Sequence, residues 1–196
     1  MKSIRLSICG FSLLLLALLT LAQTPNLNHL SKDGLSFDYP AGWQISDQST
    51  QQMQYLTLAR DGYAEIIVRS PRATIDTPEK EAEAKRIVQE GFVDAWNKNF
   101  SDSGAKATRS NVSTEIAASP AACTRLSASL GGEPGRVDIC WRLIEKRMVQ
   151  LAIVGSDKDI GKTAPAWDLV RNTAKIEPAP QATPSPQATP KPTPKP

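Results

Sequence analysis

Apolar and polar residues alternate in "GLSFDYP". Leu35, Phe37 and Tyr39 fall on one side and Ser36 and Asp38 on the other, the signature of a half-buried strand. Pro40 has no N–H to give to a ladder and ends the regular pairing. Gly42 lets the chain bend, so that Trp43 turns its ring onto the apolar face just built. Phe37, Tyr39, Pro40, Gly42 and Trp43 are therefore expected to form a structural corner rather than a site.

The runs "YLTLA" and "YAEIIVRS" flank Asp61-Gly62, a pair that tolerates positive φ and marks a hairpin, which predicts strands over 54–60 and 63–70. The period then changes. Thr77 is an expected N-cap, Pro78 fits the first helical position, and Glu79, Glu81 and Glu83 suit the positive end of the helix dipole. Ala84, Val88, Phe92 and Trp96 recur every four residues, with Ile87 and Ala95 beside them, giving one apolar stripe on a long helix. Gly91 inside it costs about 1 kcal/mol relative to alanine, which is tolerable where the helix backbone comes close to a sheet. "SDSGAK" then reads as a loop, followed by a strand over 112–117.

"AACTRLSASL" and "RVDICWRLIE" bracket Gly131-Gly132. In the second run Val137, Ile139, Trp141 and Leu143 alternate with Arg136, Asp138, Cys140 and Arg142. A two-residue turn at the glycines sets Leu126 opposite Val137, Thr124 opposite Ile139 and Cys123 opposite Cys140, the last as a non-hydrogen-bonded pair whose side chains come closest. This predicts a cross-strand disulfide. It is placed outside the core, because Cys140 shares a side with Arg136, Asp138 and Arg142. A wider turn including Pro134 would instead leave two free thiols. "RMVQLAIVGS" supplies another strand, "SDKDIGK" a turn, and "APAWDLVRNTAKI" a final helix with Ala166, Val170 and Ala174 on one face.

Short turns pair consecutive strands antiparallel, and no βαβ rhythm occurs. The fold class is α+β, an antiparallel β-sheet of about six to seven strands covered by a long helix after strand three and a C-terminal helix. The opening "LSFDYPAGW", the Asp-Gly hairpin and the order of elements together resemble the PsbP-like superfamily, which includes the photosystem II extrinsic protein, a yeast Ran-binding protein and bacterial periplasmic DcrB-type domains. The resemblance covers about residues 31–177 and implies a fold. It carries over no site residue, since no metal-binding or Ran-binding motif of that group can be placed here, and the Pro-rich tail is foreign to it.

The ends set the compartment. Lys2 and Arg5 precede the uncharged run "FSLLLLALLTLA", so residues 1–22 read as a signal peptide, with Cys9 part of it, and an exported, periplasmic or secreted, protein is expected. The apolar run is also about as long as the shortest spanning helices, so an uncleaved membrane anchor stays open. Residues 23–30 read as a linker and 31–177 as one domain. Residues 178–196, "PAPQATPSPQATPKPTPKP", read as an extended Pro-rich tail without a core. Four of the 23 basic residues lie in these ends, leaving 19 against 20 acidic ones. The domain is near neutral, and nucleic acid is not an expected partner.

Candidate chemistry is sparse. The one histidine, His29, falls in the polar segment before the first strand, which leaves no Ser-His-Asp or Cys-His set to assemble. Cys123, Cys140 and His29 lack the spacing of a zinc site, and "SDKDIGK" has only a trace of a calcium loop at Asp157, Asp159 and Gly161. No metal or cofactor is expected. There is no G-x-G-x-x-G, P-loop or G-x-S-x-G. Of Trp43, Trp96, Trp141 and Trp167, three fall on apolar faces or the corner, and Trp167 is the candidate for an exposed ligand contact. Asn99 and Asn111 head glycosylation sequons wherever the host modifies exports.

Three function classes follow. The first is an exported, non-catalytic binding or accessory module whose partner is a protein or an envelope component. The second is a hydrolase using carboxylates such as Asp38, Glu65, Glu115 or Asp138, which requires two of them in one cleft. The third is a structural protein held at the membrane by an uncleaved N-terminal helix.

Overall fold

The turn Asp33-Gly34 decides how the chain begins. Both residues have positive φ, 50° and 79°, and they join β1 (Leu27–Lys32) to β2 (Leu35–Pro40) as a tight hairpin. Residues 27–30, expected as linker, are thus strand. The same Asp-Gly signal that marks residues 61–62 operates here, and ladder pairing with β2 outweighs the polar composition of the segment. A two-residue strand, β10 (Lys175–Ile176), pairs with the other side of β2, making a small sheet of order β1-β2-β10. The computed structural model describes residues 26–177, so the expected signal peptide and the Pro-rich tail lie outside the described residues.

The expected main sheet is present with seven strands, all antiparallel, but β2 belongs to the small sheet. Its members are β3 (Gln44–Asp47), β4 (Met53–Ala59), β5 (Glu65–Pro71), β6 (Thr108–Ile116), β7 (Ser119–Leu130), β8 (Glu133–Ile144) and β9 (Arg147–Ser156), in the order β3-β4-β5-β9-β8-β7-β6. Strands β6 to β9 form a meander whose two-residue turns, Ala117-Ala118, Gly131-Gly132 and Glu145-Lys146, have positive φ throughout. The register across Gly131-Gly132 is the expected one, with Leu126 opposite Val137 and Cys123 opposite Cys140.

The corner behaves as its residues require. Gly42 has φ 82°, Phe37 is fully buried, and Trp43 is 6% exposed with its ring edge-on to Tyr63 at 5.6 Å. Tyr39 is half-buried, and Pro40 closes β2 opposite Leu27.

The long helix is interrupted. Thr77 caps α1 (Pro78–Ala84), its hydroxyl accepting from the Lys80 N–H at 3.3 Å. A π-helical segment, Lys85–Glu90, follows and leads into α2 (Gly91–Asp102). Gly91 donates to the Arg86 carbonyl five residues back, which widens the helix and shifts its phase. The buried positions are consequently Val88, Gln89, Val93 and Phe100, while Ile87 and Ala95 of the expected stripe are exposed and Phe92 and Trp96 half-buried. Gly91 is exposed with nothing near its Cβ position, so the glycine does not serve a close approach to the sheet.

The C-terminal helix α3 (Asp157–Thr173) starts two turns earlier than expected. "SDKDIGK" is helix, with the Ser156 hydroxyl accepting from the Asp159 N–H at 3.2 Å and Asp157 and Asp159 in the first turn. Pro165 lies inside the helix rather than at its start. Ala166, Val170 and Ala174 are buried as predicted.

The two helical units take opposite faces of the main sheet. One core joins α3 and the small sheet to Leu56, Val68, Leu151 and both cysteines; the other joins α2 to Ile67, Ile139 and Ala152. Both faces being covered corrects the expected position of the disulfide. Cys123 and Cys140 are bonded, but they are 5% and 2% exposed and lie within the α3-side core.

Candidate functional site

The four carboxylates from which a hydrolase would need two stand apart. Asp38, on β2 of the small sheet, is hydrogen-bonded through Oδ1 to His29 Nδ1 at 2.6 Å. Glu65 begins β5, exposed, and Glu115 lies exposed on β6. Asp138 on β8 is gripped by Arg125 through two hydrogen bonds of 2.6 and 2.8 Å, with Arg136 at 3.4 Å. The two bonds to one guanidinium occupy both carboxylate oxygens of Asp138 as acceptors. No two of the four come together. Among the described residues, no group of three or more His, Cys, Asp or Glu side chains is placed to hold a metal ion.

A cleft of about 820 Å³ opens where the β1–β2 hairpin meets the main sheet, lined by Ser31, Asp33, Arg72, Lys146, Arg147 and Glu177, among others. Its arginines are braces. Arg147 donates to the carbonyls of Pro71 at 2.9 Å and Asp33 at 2.8 Å and to the Gln54 side chain, and Arg72 bonds Asp33 at 2.7 Å. Burial, with Arg72 adding its charge, pushes the Arg147 guanidinium below its ordinary pKa. Glu177 closes the wall, its carboxylate accepting from Ser31 and Ser36 and its N–H bonding Gly34. The cleft is thus a seam between two sheets whose arginines and Glu177 are engaged in holding it.

A second groove, of about 240 Å³, has the other character. It runs between α2 and the β7–β8 hairpin tip, with Trp96, Phe100, Leu130 and Val154 as apolar walls and Glu133 and Arg136 at the rim. Trp96 is half-buried and stands 6.4 Å from Phe100 and 6.3 Å from Phe92, so three aromatic rings form a ladder along α2. Leu130, 46% exposed, borders the groove from the hairpin tip. Its walls are apolar, and Glu133 is the carboxylate among its lining residues. The groove can receive an apolar side chain, whose burial contributes about 1.5–3 kcal/mol.

Behind the ladder lies a polar row. Tyr55, Arg69 and Gln150 face one another across β4, β5 and β9. The Arg69 guanidinium lies 4.1 Å from the Phe92 ring centroid and 5.7 Å from that of Tyr55, and it donates to Gln150 Oε1 at 2.8 Å. Its Nε is buried without a partner, and burial holds its pKa below the ordinary value. Burial also raises the Tyr55 phenol, with Glu65 adding to the effect and Arg69 opposing it. Gln150 in turn donates to Gln89 Oε1 at 2.8 Å and to the Val88 carbonyl at 3.2 Å, inside the π-helical segment.

Sequence reasoning placed Trp96 only on a core stripe and passed over Leu130, though a leucine beside Gly131-Gly132 was a signal for an apolar hairpin tip. Trp167, the expected exposed contact, is half-buried against the α3-side core and Ile160. At the corner Phe37 and Trp43 are buried, Tyr39 and Pro40 half-buried and Gly42 exposed.

The sequence matches no family model and no curated protein. Among solved structures, the fold is similar to cyanobacterial PsbP (CyanoP) from Synechocystis sp. PCC 6803, with 13% identity over 87% of this chain and 98% of that one and a TM-score of 0.48. LpqN, involved in cell envelope biogenesis of Mycobacterium tuberculosis, shows 13% identity over 78% and 91% and a TM-score of 0.41. The immunity protein TplEi of Pseudomonas aeruginosa shows 14% identity over 79% of this chain and 56% of that one, with a TM-score of 0.36. These likenesses are distant and assign no residue.

Proposed function

We propose that this chain is an exported, non-catalytic binding or accessory module of the cell envelope or extracellular space. The observation that carries the reading is the groove of Trp96, Phe100 and Leu130, an apolar surface with a charged rim on a domain whose carboxylates are dispersed. Export is supported by the basic residues and apolar run at the N-terminus and by the Cys123–Cys140 bond, since disulfides persist in oxidising compartments. The partner is a protein or envelope component that inserts an apolar side chain between Trp96 and Leu130.

A photo-crosslinking side chain at position 130, with one at Lys175 of the small sheet as control, tests this in the native compartment. The expected result is a discrete adduct specific to position 130 that Trp96→Ala removes. Equal labelling from both positions would remove the groove as the site.

A further inference from the structure

The main sheet has two margins, and they differ. The β3 margin is four residues long, whereas β6 runs for nine. Among the described residues no strand pairs with the outer side of β6, where Arg109, Asn111, Ser113 and Glu115 are exposed. The Cα atoms of Cys123 and Cys140 are 4.0 Å apart, the spacing of a non-hydrogen-bonded pair. Cys123 therefore turns its own N–H and C=O toward β6, and Val112, its partner there, turns its groups back toward β7. The odd-numbered residues of β6 then present N–H and C=O outward. Arg171 reaching the Glu115 carbonyl from outside the ladder, at 2.9 Å, agrees with this. A long margin of this kind is a template for another strand.

We propose that β6 pairs with β6 of a second copy of this chain, antiparallel about a two-fold axis at Val112, joining the two main sheets into one. In that register Arg109 stands opposite Glu115 of the second copy and Glu115 opposite its Arg109, while Asn111 faces Ser113 and Val112 faces itself. Two opposite-charge cross-strand pairs select this arrangement. A slip of two residues loses both pairs, a slip of one turns the faces over, and parallel in-register pairing sets like charges together. Arg109 also bonds Glu90 at 2.7 Å, but its side chain is 47% exposed and has donors to spare. The Glu115 carbonyl retains a second lone pair beside its bond to Arg171. Val112, half-buried over the α3-side core, meets its copy at the position where side chains approach most closely.

Sedimentation velocity of the purified protein over a concentration series tests the pairing, with thermal unfolding confirming that each variant folds. Glu115→Arg is expected to weaken the dimer at least about tenfold, because two attractive pairs become repulsive, and Arg109→Glu added to it is expected to restore the dimer. Val112→Cys is expected to form a covalent dimer on oxidation, and Asn111→Cys not. A protein that stays monomeric at all concentrations, a dimer indifferent to the charge exchange, or crosslinking at 111 and not at 112 would each overturn the proposal.

Discussion

The two faces of the main sheet are built on different principles. Beneath α3 and the small sheet a continuous aliphatic and aromatic cluster is flanked by the buried, hydrogen-bonded side chains of Gln54, Ser70 and Thr163, and a covalent bond joins β7 to β8. Beneath α1 and α2 the cover is broken by a π-helical segment, a row of Tyr55, Arg69 and Gln150 crosses the sheet, and the aromatic ladder opens into a groove. A dry, cross-linked face gives a rigid platform. The polar face holds a cation without a carboxylate among the described residues and an incompletely covered Trp96, features that leave a surface able to take a ligand.

The comparison can be broken most severely on the dry side. Trp43→Ala should lower stability by about 3–5 kcal/mol, read by denaturant unfolding, because the buried ring leaves a cavity beside Tyr63. Loss of groove binding with unchanged unfolding would move the site to that corner. Removing the disulfide by Cys123→Ala with Cys140→Ala should cost about 3 kcal/mol in the chain-entropy model for a separation of 17 residues. Alkylation of the native protein without reductant should leave both cysteines unmodified.

On the polar side the expected effects are smaller and opposite in kind. Gln89→Leu should cost about 1–3 kcal/mol, since the Ile139 carbonyl loses its side-chain donor and Gln150 loses an acceptor. Arg69→Met should cost no more than about 1–3 kcal/mol, because it removes a cation that burial disfavours but leaves the buried Gln150 Oε1 without its donor. A loss as large as that of Trp43→Ala would show that the two faces are equally rigid. The smallest effect concerns the joint between the sheets. Lys32, hydrogen-bonded to the Asp47 carboxyl, and then Ser49 hold its pKa at about 2, below the ordinary 3.8. A depressed carboxylate contributes stability that is present above the unfolded value and lost as pH falls toward the folded one. Acid unfolding of Asp47→Asn should therefore show a shallower loss than the parent between these two values.

Much of the dry face was legible because its residues obey short rules. Leu35 and Phe37 alternate, Gly42 needs a positive φ, and Gly131-Gly132 fixes the register that brings the cysteines together. Four things were not legible. Ala117-Ala118 and Glu145-Lys146 are tight turns made of residues that disfavour positive φ, held there by the strands on either side. The π-helical segment follows tertiary hydrogen bonds through Gln89 and Gln150, so the four-residue spacing of Val88, Phe92 and Trp96 named a stripe one position out of phase. Which face α3 covers depends on where the chain goes after β9, and residue alternation on β8 could not tell a solvated face from a second core. The groove was hidden for the same reason, since Trp96 and Leu130 meet only through the packing of α2 on the hairpin.

The neighbours Arg69 and Gln150, hydrogen-bonded across β5 and β9, are 81 positions apart in the chain. Each hairpin of the β6 to β9 meander closes over two residues, so these strands can assemble from local encounters, whereas the β5–β9 seam must wait for a long segment to be brought round. Prior condensation of the meander shortens that search. We therefore expect the seam to set the speed of folding: Ile67→Val and Ala152→Gly in the seam, and Val112→Ala in the meander that condenses before it, should each slow refolding in stopped-flow measurements.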